Sequence, residues 1–445
     1  MAKKEKLTKQ AVFSKISDEK IEIIQLWFTD ILGILKCVSI TRGELEEALN
    51  QGKGFDGSSI TGFAEAEESD ILAKPDPATL QILPWQSDQP RTARLFCDLL
   101  SPDGNPYPGD PRYALKRNIA RAEKMGFRYH VGPELEYFYF KNNERPETLD
   151  QGTYFEVIPN DLANFLRNQT IKMLEEMGIT IESSHHEVAP SQHEIDLKYN
   201  EALIMADNII TSRMVIREIA QRHGVYATFM PKPLLGVNGS GMHLHQSLKS
   251  GNKNSFFDPS DKYHLSETAK QFIAGQLTHA REICALTAQW VNSYKRLVAG
   301  YEAPVYISWA QRNRTTLIRV PHYHPGKEEA IRAELRCPDG ACNPYLAFSV
   351  MLAAGLEGIE KKYKLPKPVE PNIYKMKNAE IENRKLTALP GSLLEAIMET
   401  EKSKFVREAL GEHIFNRFIL NKKKEWEEYR IQITSHELKK YLPII

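Results

Sequence analysis

The sequence has no net charge: 58 lysines and arginines balance 58 aspartates and glutamates in 445 residues. With no basic field to hold nucleic acid or an anionic membrane, any anion site must be local. Cysteine is scarce. The five present (Cys37, Cys97, Cys284, Cys337 and Cys342) are odd in number and lack the paired spacing of a zinc ribbon or redox motif, which points to reduced thiols in a cytosol. The most apolar stretch, Tyr345 to Leu356, is shorter than the about 20 residues that cross a bilayer, and no cleavable signal pattern is evident. A soluble cytoplasmic protein is therefore expected, without nucleic-acid or membrane partners. A Walker P-loop and a Rossmann glycine fingerprint are also missing, so any nucleotide must be held by other means.

What is present suits an ordinary globular chain, with 42% apolar and 26% charged residues and length enough for a modest domain plus a large one. The first hundred residues read as strands around Ile21 to Phe28, Gly33 to Ile40 and Ala93 to Leu99, with short helices at Thr8 to Lys15 and Arg42 to Asn50 and a Gly-rich loop from Phe55 to Phe63. The Pro/Gly/Asp cluster Ser101 to Pro111 reads as a linker, which divides the chain into residues 1–107 and 108–445. Beyond it, strands are expected at Phe127 to Phe140, Val188 to Lys198, Met242 to Leu248, Val305 to Trp309, Thr316 to Val320 and Ala333 to Cys337. Helices are expected at Leu162 to Met177, Ala202 to His223 and Pro344 to Lys362. The mixture is α+β.

Chemistry concentrates in a few segments. Glu134 and Glu136 in VGPELEYFYF are two residues apart on a strand, so both carboxylates share a face. An isolated pair of this kind is usually solvated. This pair is flanked by aromatic and apolar residues, where like charges are costly unless a cation neutralises them. Glu187 and Glu194 lie in HHEVAPSQHEID, a second acidic and histidine-rich patch. His243 and His245 follow a glycine turn in NGSGMHLHQSL, and Glu334 and Arg336 repeat the two-residue spacing in RAELRCPDG. Glutamates with one or two histidines and no clustered cysteines suit Mg²⁺ or Mn²⁺ better than structural zinc. Arg296, Arg312, Arg314 and Arg319 fall in one segment, and guanidinium forks match carboxylate and phosphate oxygens. Two ions and arginines around phosphates would mean phosphoryl transfer.

The segments FDGSSI, GPELEYF, HHEVAPSQHEID, NGSGMHLHQSL, KRLVAGYEAP, RNRTTLIRVP and AELRCPDGACNPYLAF occur in the order found in type I glutamine synthetases, and the chain resembles that family over nearly its whole length. The resemblance implies a small N-terminal β-grasp domain and a large catalytic α+β domain on an antiparallel sheet. It also implies a dodecamer of two hexameric rings, with active sites shared between neighbouring subunits and a C-terminal helical segment reaching the opposite ring. It implies ligation of ammonium to L-glutamate through γ-glutamyl phosphate, using ATP and two or more Mg²⁺ or Mn²⁺ ions per site. Carried over, one metal position falls on Glu136, Glu187 and Glu194 and the other on Glu134, His243 and Glu334. Nucleotide positions fall on Glu182, Tyr199, His245, Ser247, Arg314 and Arg319, and glutamate positions on Asn238, Gly239, Arg296, Glu302 and Arg336. Asp56 matches the residue that takes the proton of ammonium in a neighbouring subunit's site. Glu302 matches the flap, and Arg314 and Arg319 serve the transferred phosphoryl group.

Some positions depart from the commoner family pattern. Ser191 replaces a frequent glycine, and Gly340 a frequent proline. Glu65 stands where several relatives have an arginine that mediates feedback by glutamine, which implies weaker inhibition here. Tyr374 matches a tyrosine adenylylated in longer members, but its KMK surroundings differ and adenylylation does not follow from the match. Two other readings compete. A ligase of the same fold could join glutamate to a polyamine or another amine, but the anionic Asp56 in a small pocket favours ammonium. A catalytically silent structural relative would have lost ligands, and all six metal positions are intact.

Overall fold

The computed structural model describes residues 7–62, 70–86 and 90–445; Glu65 lies outside them. Among the described residues the strands form two sheets. The first comprises β1 (Ile23–Thr29), β2 (Leu35–Thr41), β3 (Lys53–Asp56), β4 (Asp70–Pro75), β5 (Gln81–Ile82) and β6 (Thr92–Leu100), in the order β2-β1-β6-β4-β3 with β5 beside β6. Its pairs are antiparallel except β1 with β6. Strand alternation assigns the two faces of β1. Ile24, Leu26 and Phe28 pack with Val12 and Ile16 of the helix Lys9–Asp18 and with Leu45 and Leu49 of the helix Leu45–Gln51. Trp27 turns the other way, into the core of the larger sheet. This is the expected β-grasp domain, seated on its neighbour by an apolar face.

The larger sheet comprises β7 (Arg128–Phe140), β8 (Ile181–His186), β9 (Gln192–Leu197), β10 (Asn200–Glu201), β11 (Tyr226–Thr228), β12 (Met242–Ser250), β13 (Lys253–Asn254), β14 (Tyr306–Ala310), β15 (Thr316–Arg319) and β16 (Ala333–Leu335). Its main order is β14-β15-β16-β12-β7-β9-β8, antiparallel except for β14 with β15. The long strand β7 is central. Leu135, Tyr137 and Tyr139 face a core shared with the helices Pro111–Lys124, Ala202–Arg222 and Pro344–Glu360, leaving Glu134 and Glu136 on the opposite face. The helix Pro344–Glu360 is buried almost all round, as its apolar composition requires.

Two polar joints hold the sheets together. Asn343 caps the helix Pro344–Glu360 by accepting from the N–H groups of Tyr345 and Leu346, while its amide donates to the carbonyls of Asp30 and Ile31 in the small domain. Gly33 allows this approach: a Cβ there would lie 2.8 Å from Asn343 Cα, and its φ of +77° favours glycine. Arg112, buried, pairs with Asp76 and Asp98 of the small domain and with Asp207 of the large one.

Several expected elements differ in detail. The strand expected over Val188 to Lys198 begins only at Gln192, because Pro190 and the left-handed Ser191 (φ +61°) make a turn of the preceding residues. β8, just upstream, was not expected; its SSHH run lacks the apolar alternation of a strand. The helix expected from Arg42 opens as a 3₁₀ turn, Arg42–Glu44. The Gly-rich loop starts as a strand, with Asp56 the last residue of β3.

Candidate functional site

Register across the larger sheet brings the predicted acidic residues together. Glu136 lies opposite Glu194 and Glu134 opposite Asp196 across β7 and β9; His243 lies opposite Glu134 across β12, and Glu334 of β16 opposite both His245 and Arg319. Except for His245 and the fully buried Glu334, this row lines a cavity of about 430 Å³ together with Glu187, Asn238, Gly239, Arg296, Glu302, Arg314 and Arg336. Strand pairing thus gathers residues that lie up to about two hundred positions apart, as the sequence motifs anticipated.

Each floor residue is held by a named partner. Glu134 lies 2.8 Å from His243 Nδ1 and 2.7 Å from His245 Nε2. His245 Nδ1 accepts from Arg332 at 2.9 Å, so both ring nitrogens are engaged and the ring fixes Glu134. Glu136 accepts from the amide of Gln192 and the backbone N–H of Gly241, both at 2.9 Å. Gly241 has to be glycine, because a Cβ would meet the Arg296 guanidinium at 2.4 Å. Glu334 is fully buried between Arg319, at 2.5 Å, and Arg336. Arg296, also buried, gives three of its donors to the carbonyls of Arg336, Cys337 and Pro338.

The electrostatics divide the floor in two. Burial opposes ionisation of Glu134, yet the hydrogen bonds from His243 and His245 hold it well below the usual carboxylate range. Burial likewise opposes ionisation of Glu334, and Arg336 outweighs it. On the hairpin side His185 lies 3.5 Å from Glu187 and 3.3 Å from Glu194, and burial pushes its imidazole down, away from the charged form. Burial and then the charge of Glu136 push Glu187 up to about 8, and the same two causes raise Glu194 well above its ordinary value. Carboxylates opposed in this way cannot all ionise unless a cation joins them. The oxygen-rich donor set fits a divalent ion: atoms of Glu134, His243 and Glu334 converge within 4.8 Å of one another, and so do atoms of His185, Glu187 and Glu194.

The rim is looser. Glu302 has φ +56° and accepts from the Asn238 amide at 3.5 Å, while its backbone carbonyl accepts from Arg336 at 3.5 Å. The hydroxyl of Tyr374 donates to the carbonyl of the adjacent Ala303, and burial pushes that phenol up to about 12. Exposed Tyr154 and Phe155 line the opposite wall, their rings 4.1 Å apart.

Not every expected residue meets the cavity. Glu182, Tyr199, His245, Ser247 and the fully buried Glu334 are not among its lining residues, and Tyr199 lies 45% exposed beside Lys249 and His130. Arg312 is exposed outside it. Asp56 lies at the exposed end of β3, accepting from the N–H and hydroxyl of Ser58, and does not line the cavity of its own chain. Conversely, His185, Gln192 and Asp196 line the cavity without having been singled out. Asp196 follows Glu194 by two residues, the same strand signal that marked Glu134 and Glu136. Tyr154 and Phe155 lie in an irregular loop and carry no such signal.

Comparison with known proteins accounts for both halves of the chain. Residues 20–102 match the family described as glutamine synthetase, beta-Grasp domain, and residues 108–441 match glutamine synthetase, catalytic domain. The chain is 50% identical over 442 residues to the glutamine synthetase of Methanosarcina mazei, covering 98% of each. It is 48% identical to that of Thermotoga maritima, covering 98% of this chain and 100% of the relative. Among solved structures, GmaS in complex with ADP aligns at a TM-score of 0.88 with 31% identity, covering 97% of this chain and 99% of that one. The Plasmodium falciparum glutamine synthetase aligns at 0.88 with 25% identity, covering 98% of each.

Proposed function

This chain belongs to the glutamine synthetase family, and on that premise we propose how its residues divide the work of making L-glutamine. The enzyme forms glutamine from L-glutamate and ammonia with ATP, and the family uses divalent metal. The observation that carries the division of labour is the meeting of Glu134, Glu136, Glu187, Glu194 and His243 with four arginines around one cavity, with buried Glu334 3.9 Å from His243.

Glu136, Glu187 and Glu194 hold one ion and Glu134, His243 and Glu334 another, with Mg²⁺ or Mn²⁺ the choice that fits these oxygen-rich sets. When bound, such ions would screen the ATP phosphates and polarise the γ-phosphoryl group. Arg314 and Arg319 line the same cavity and offset the charge that develops as this group moves to the glutamate γ-carboxylate. Asn238, Gly239, Arg296 and Arg336 orient the glutamate. Arg336 also tethers the backbone of Glu302, so substrate binding and flap position are linked through one guanidinium. Glu302 closes over the acyl phosphate, excludes water and accepts a proton from the adduct. Glu182, Tyr199, His245 and Ser247 serve the nucleotide from outside the acidic cavity, a reading supported by the likeness to GmaS with ADP.

Asp56 deprotonates ammonium. Because it does not line its own chain's cavity, it acts in a neighbouring subunit's site, which fits a ring assembly. The exposed apolar end of the chain, with Leu442 at 73% and Ile445 at 92%, supports stacking of two such rings into a dodecamer. The two domains divide between residues 107 and 108, within the turns that follow β6. Free cysteines, four of the five buried, suit a reducing cytoplasm.

The test is phosphate release from ATP with glutamate, comparing ammonium with a panel of amines. Ammonium should be preferred strongly. A preference for a larger amine would favour the amine ligase, and no release with any acceptor would favour the silent relative.

A further inference from the structure

The hairpin that carries Glu187 and Glu194 is tied down by a carboxylate outside the cavity. Asp150, in the loop after β7, accepts through Oδ1 from the backbone N–H of Ser191 at 2.9 Å, from that of Gly152 at 3.0 Å, and from His186 Nε2 at 2.9 Å. The other nitrogen of His186 lies 2.7 Å from the carbonyl of Glu187. One ring therefore spans from Asp150 to the backbone of an acidic floor residue.

Ser191 completes the joint from the opposite side. It is fully buried in the left-handed conformation, with φ +61°. A non-glycine residue keeps that conformation only where its surroundings over-determine it. Here the Ser191 hydroxyl accepts from the N–H groups of Leu149 at 2.6 Å and Asp150 at 3.1 Å, contacts that a glycine could not make. Its carbonyl accepts from Tyr139 of β7. The turn fixed in this way closes with Glu187 N–H donating to the Gln192 carbonyl at 2.7 Å, and the Gln192 amide donates to Glu136.

Asp150, His186 and His193 also bring three potential ligand atoms within 4.8 Å of one another. Arg167 argues against an ion there. Its guanidinium lies 2.7 Å from His193 Nδ1 and can only donate, so His193 carries its proton on Nε2 and turns an N–H, not a lone pair, toward Asp150 Oδ2 at 3.7 Å. The cluster is a hydrogen-bonded joint.

We propose that Asp150 and Ser191 are positioning residues that set the turn between Glu187 and Glu194, so that divalent-ion affinity depends on them and the chemical step does not. This rests on the reading of Glu187 and Glu194 as ion ligands. Loss of a partner that orients a ligand typically weakens metal affinity about 10–100-fold. Asp150→Asn, Ser191→Ala, Ser191→Gly and Glu187→Ala would be made in the full chain. Mn²⁺ binding would be followed by the EPR signal of the free ion, and glutamine formation measured against Mg²⁺ at saturating substrates.

In Asp150→Asn and Ser191→Ala, Mn²⁺ affinity and the Mg²⁺ half-saturation point should both shift about ten-fold or more, with kcat at saturating Mg²⁺ close to wild type. Ser191→Gly, which loses the hydroxyl but relieves the backbone, should shift less. Unchanged Mn²⁺ affinity in these variants, with weakened affinity in Glu187→Ala, overturns the proposal and leaves the ligand reading standing. Unchanged affinity in Glu187→Ala as well overturns both. A kcat loss that Mg²⁺ does not restore, without an affinity shift, means a general structural role and overturns it. So does Zn²⁺ retained by wild type through dialysis and lost from Asp150→Asn. If Asp150→Asn does not fold, the two Ser191 variants decide by the same readings.

Discussion

The floor and the rim of the cavity are built in opposite ways. The floor residues Glu134, Glu136, Glu194, His243 and Glu334 project from paired strands and are largely buried; all but Glu194, which lies 3.3 Å from His185, are held by a hydrogen bond or ion pair. The rim residues Tyr154, Phe155 and Glu302 stand on irregular backbone, are exposed, and include two non-glycine residues with positive φ, Phe155 and Glu302. The difference follows from what each part does. Like charges can be kept close only on a frame that does not relax away from them, and strand pairing supplies it. Substrates and products must cross the rim, so the stability needed below would be a hindrance there.

The sharpest way to break this comparison is to remove floor ligands. Glu134→Ala, Glu136→Ala or His243→Ala should abolish turnover, because phosphate oxygens cannot replace the lost ligand. Near-wild-type rates at limiting Mg²⁺ in any purified variant would remove that residue from the metal set. The next effect concerns Asp56, proposed above to act in a neighbouring subunit's site. Asp56→Ala should lower the rate of glutamine formation by about 10²–10⁴-fold, the usual contribution of a general base, with ATP affinity nearly unchanged. Equal losses of both would mean that Asp56 is structural.

A pH experiment sharpens the comparison within the floor. Glu187 is raised in the folded protein from 4.5 to about 8, so the metal-free fold binds more protons than the unfolded chain between those values. Its stability should therefore fall as pH climbs through that window, by on the order of a few kcal/mol. Denaturant melts of the metal-free protein across this range should show the slope, and either Glu187→Gln or saturating Mg²⁺ should flatten it. A metal-free protein with no slope would mean that the carboxylates move apart when no cation holds them. The smallest effect belongs to the rim: Tyr374→Phe removes one hydrogen bond to Ala303, worth about 0.5–1.5 kcal/mol, so kcat should fall about ten-fold or less while metal affinity stays unchanged. A change in metal affinity would show that floor and rim are not separable.

The strand signal was legible where alternation was clean. Two-residue spacing correctly put Glu134 with Glu136 and His243 with His245 on single faces, and the apolar composition of Pro344 to Lys362 announced the buried helix. It failed at β8, where Ser183, Ser184, His185 and His186 give no apolar period; among the described residues that edge strand is partnered only by β9. It failed also at Val188 to Ser191, where a turn held by a distant aspartate replaces the expected strand.

By itself, the sequence determined which side chains share a face, because strand geometry is a local property of a few residues. Through its ordered motifs it also pointed to the family. Only tertiary structure decided that the faces meet. Glu334 reaches His245 and Glu136 reaches Glu194 because β12, β7, β9 and β16 pair in one register, and a slip of one residue would turn every carboxylate to the helical side. The links of Asp150 with Ser191 and of Arg167 with His193 were likewise invisible in the chain. Each joins a loop or helix to a hairpin far along the sequence, and no local propensity records which distant donor a buried carboxylate or imidazole will find.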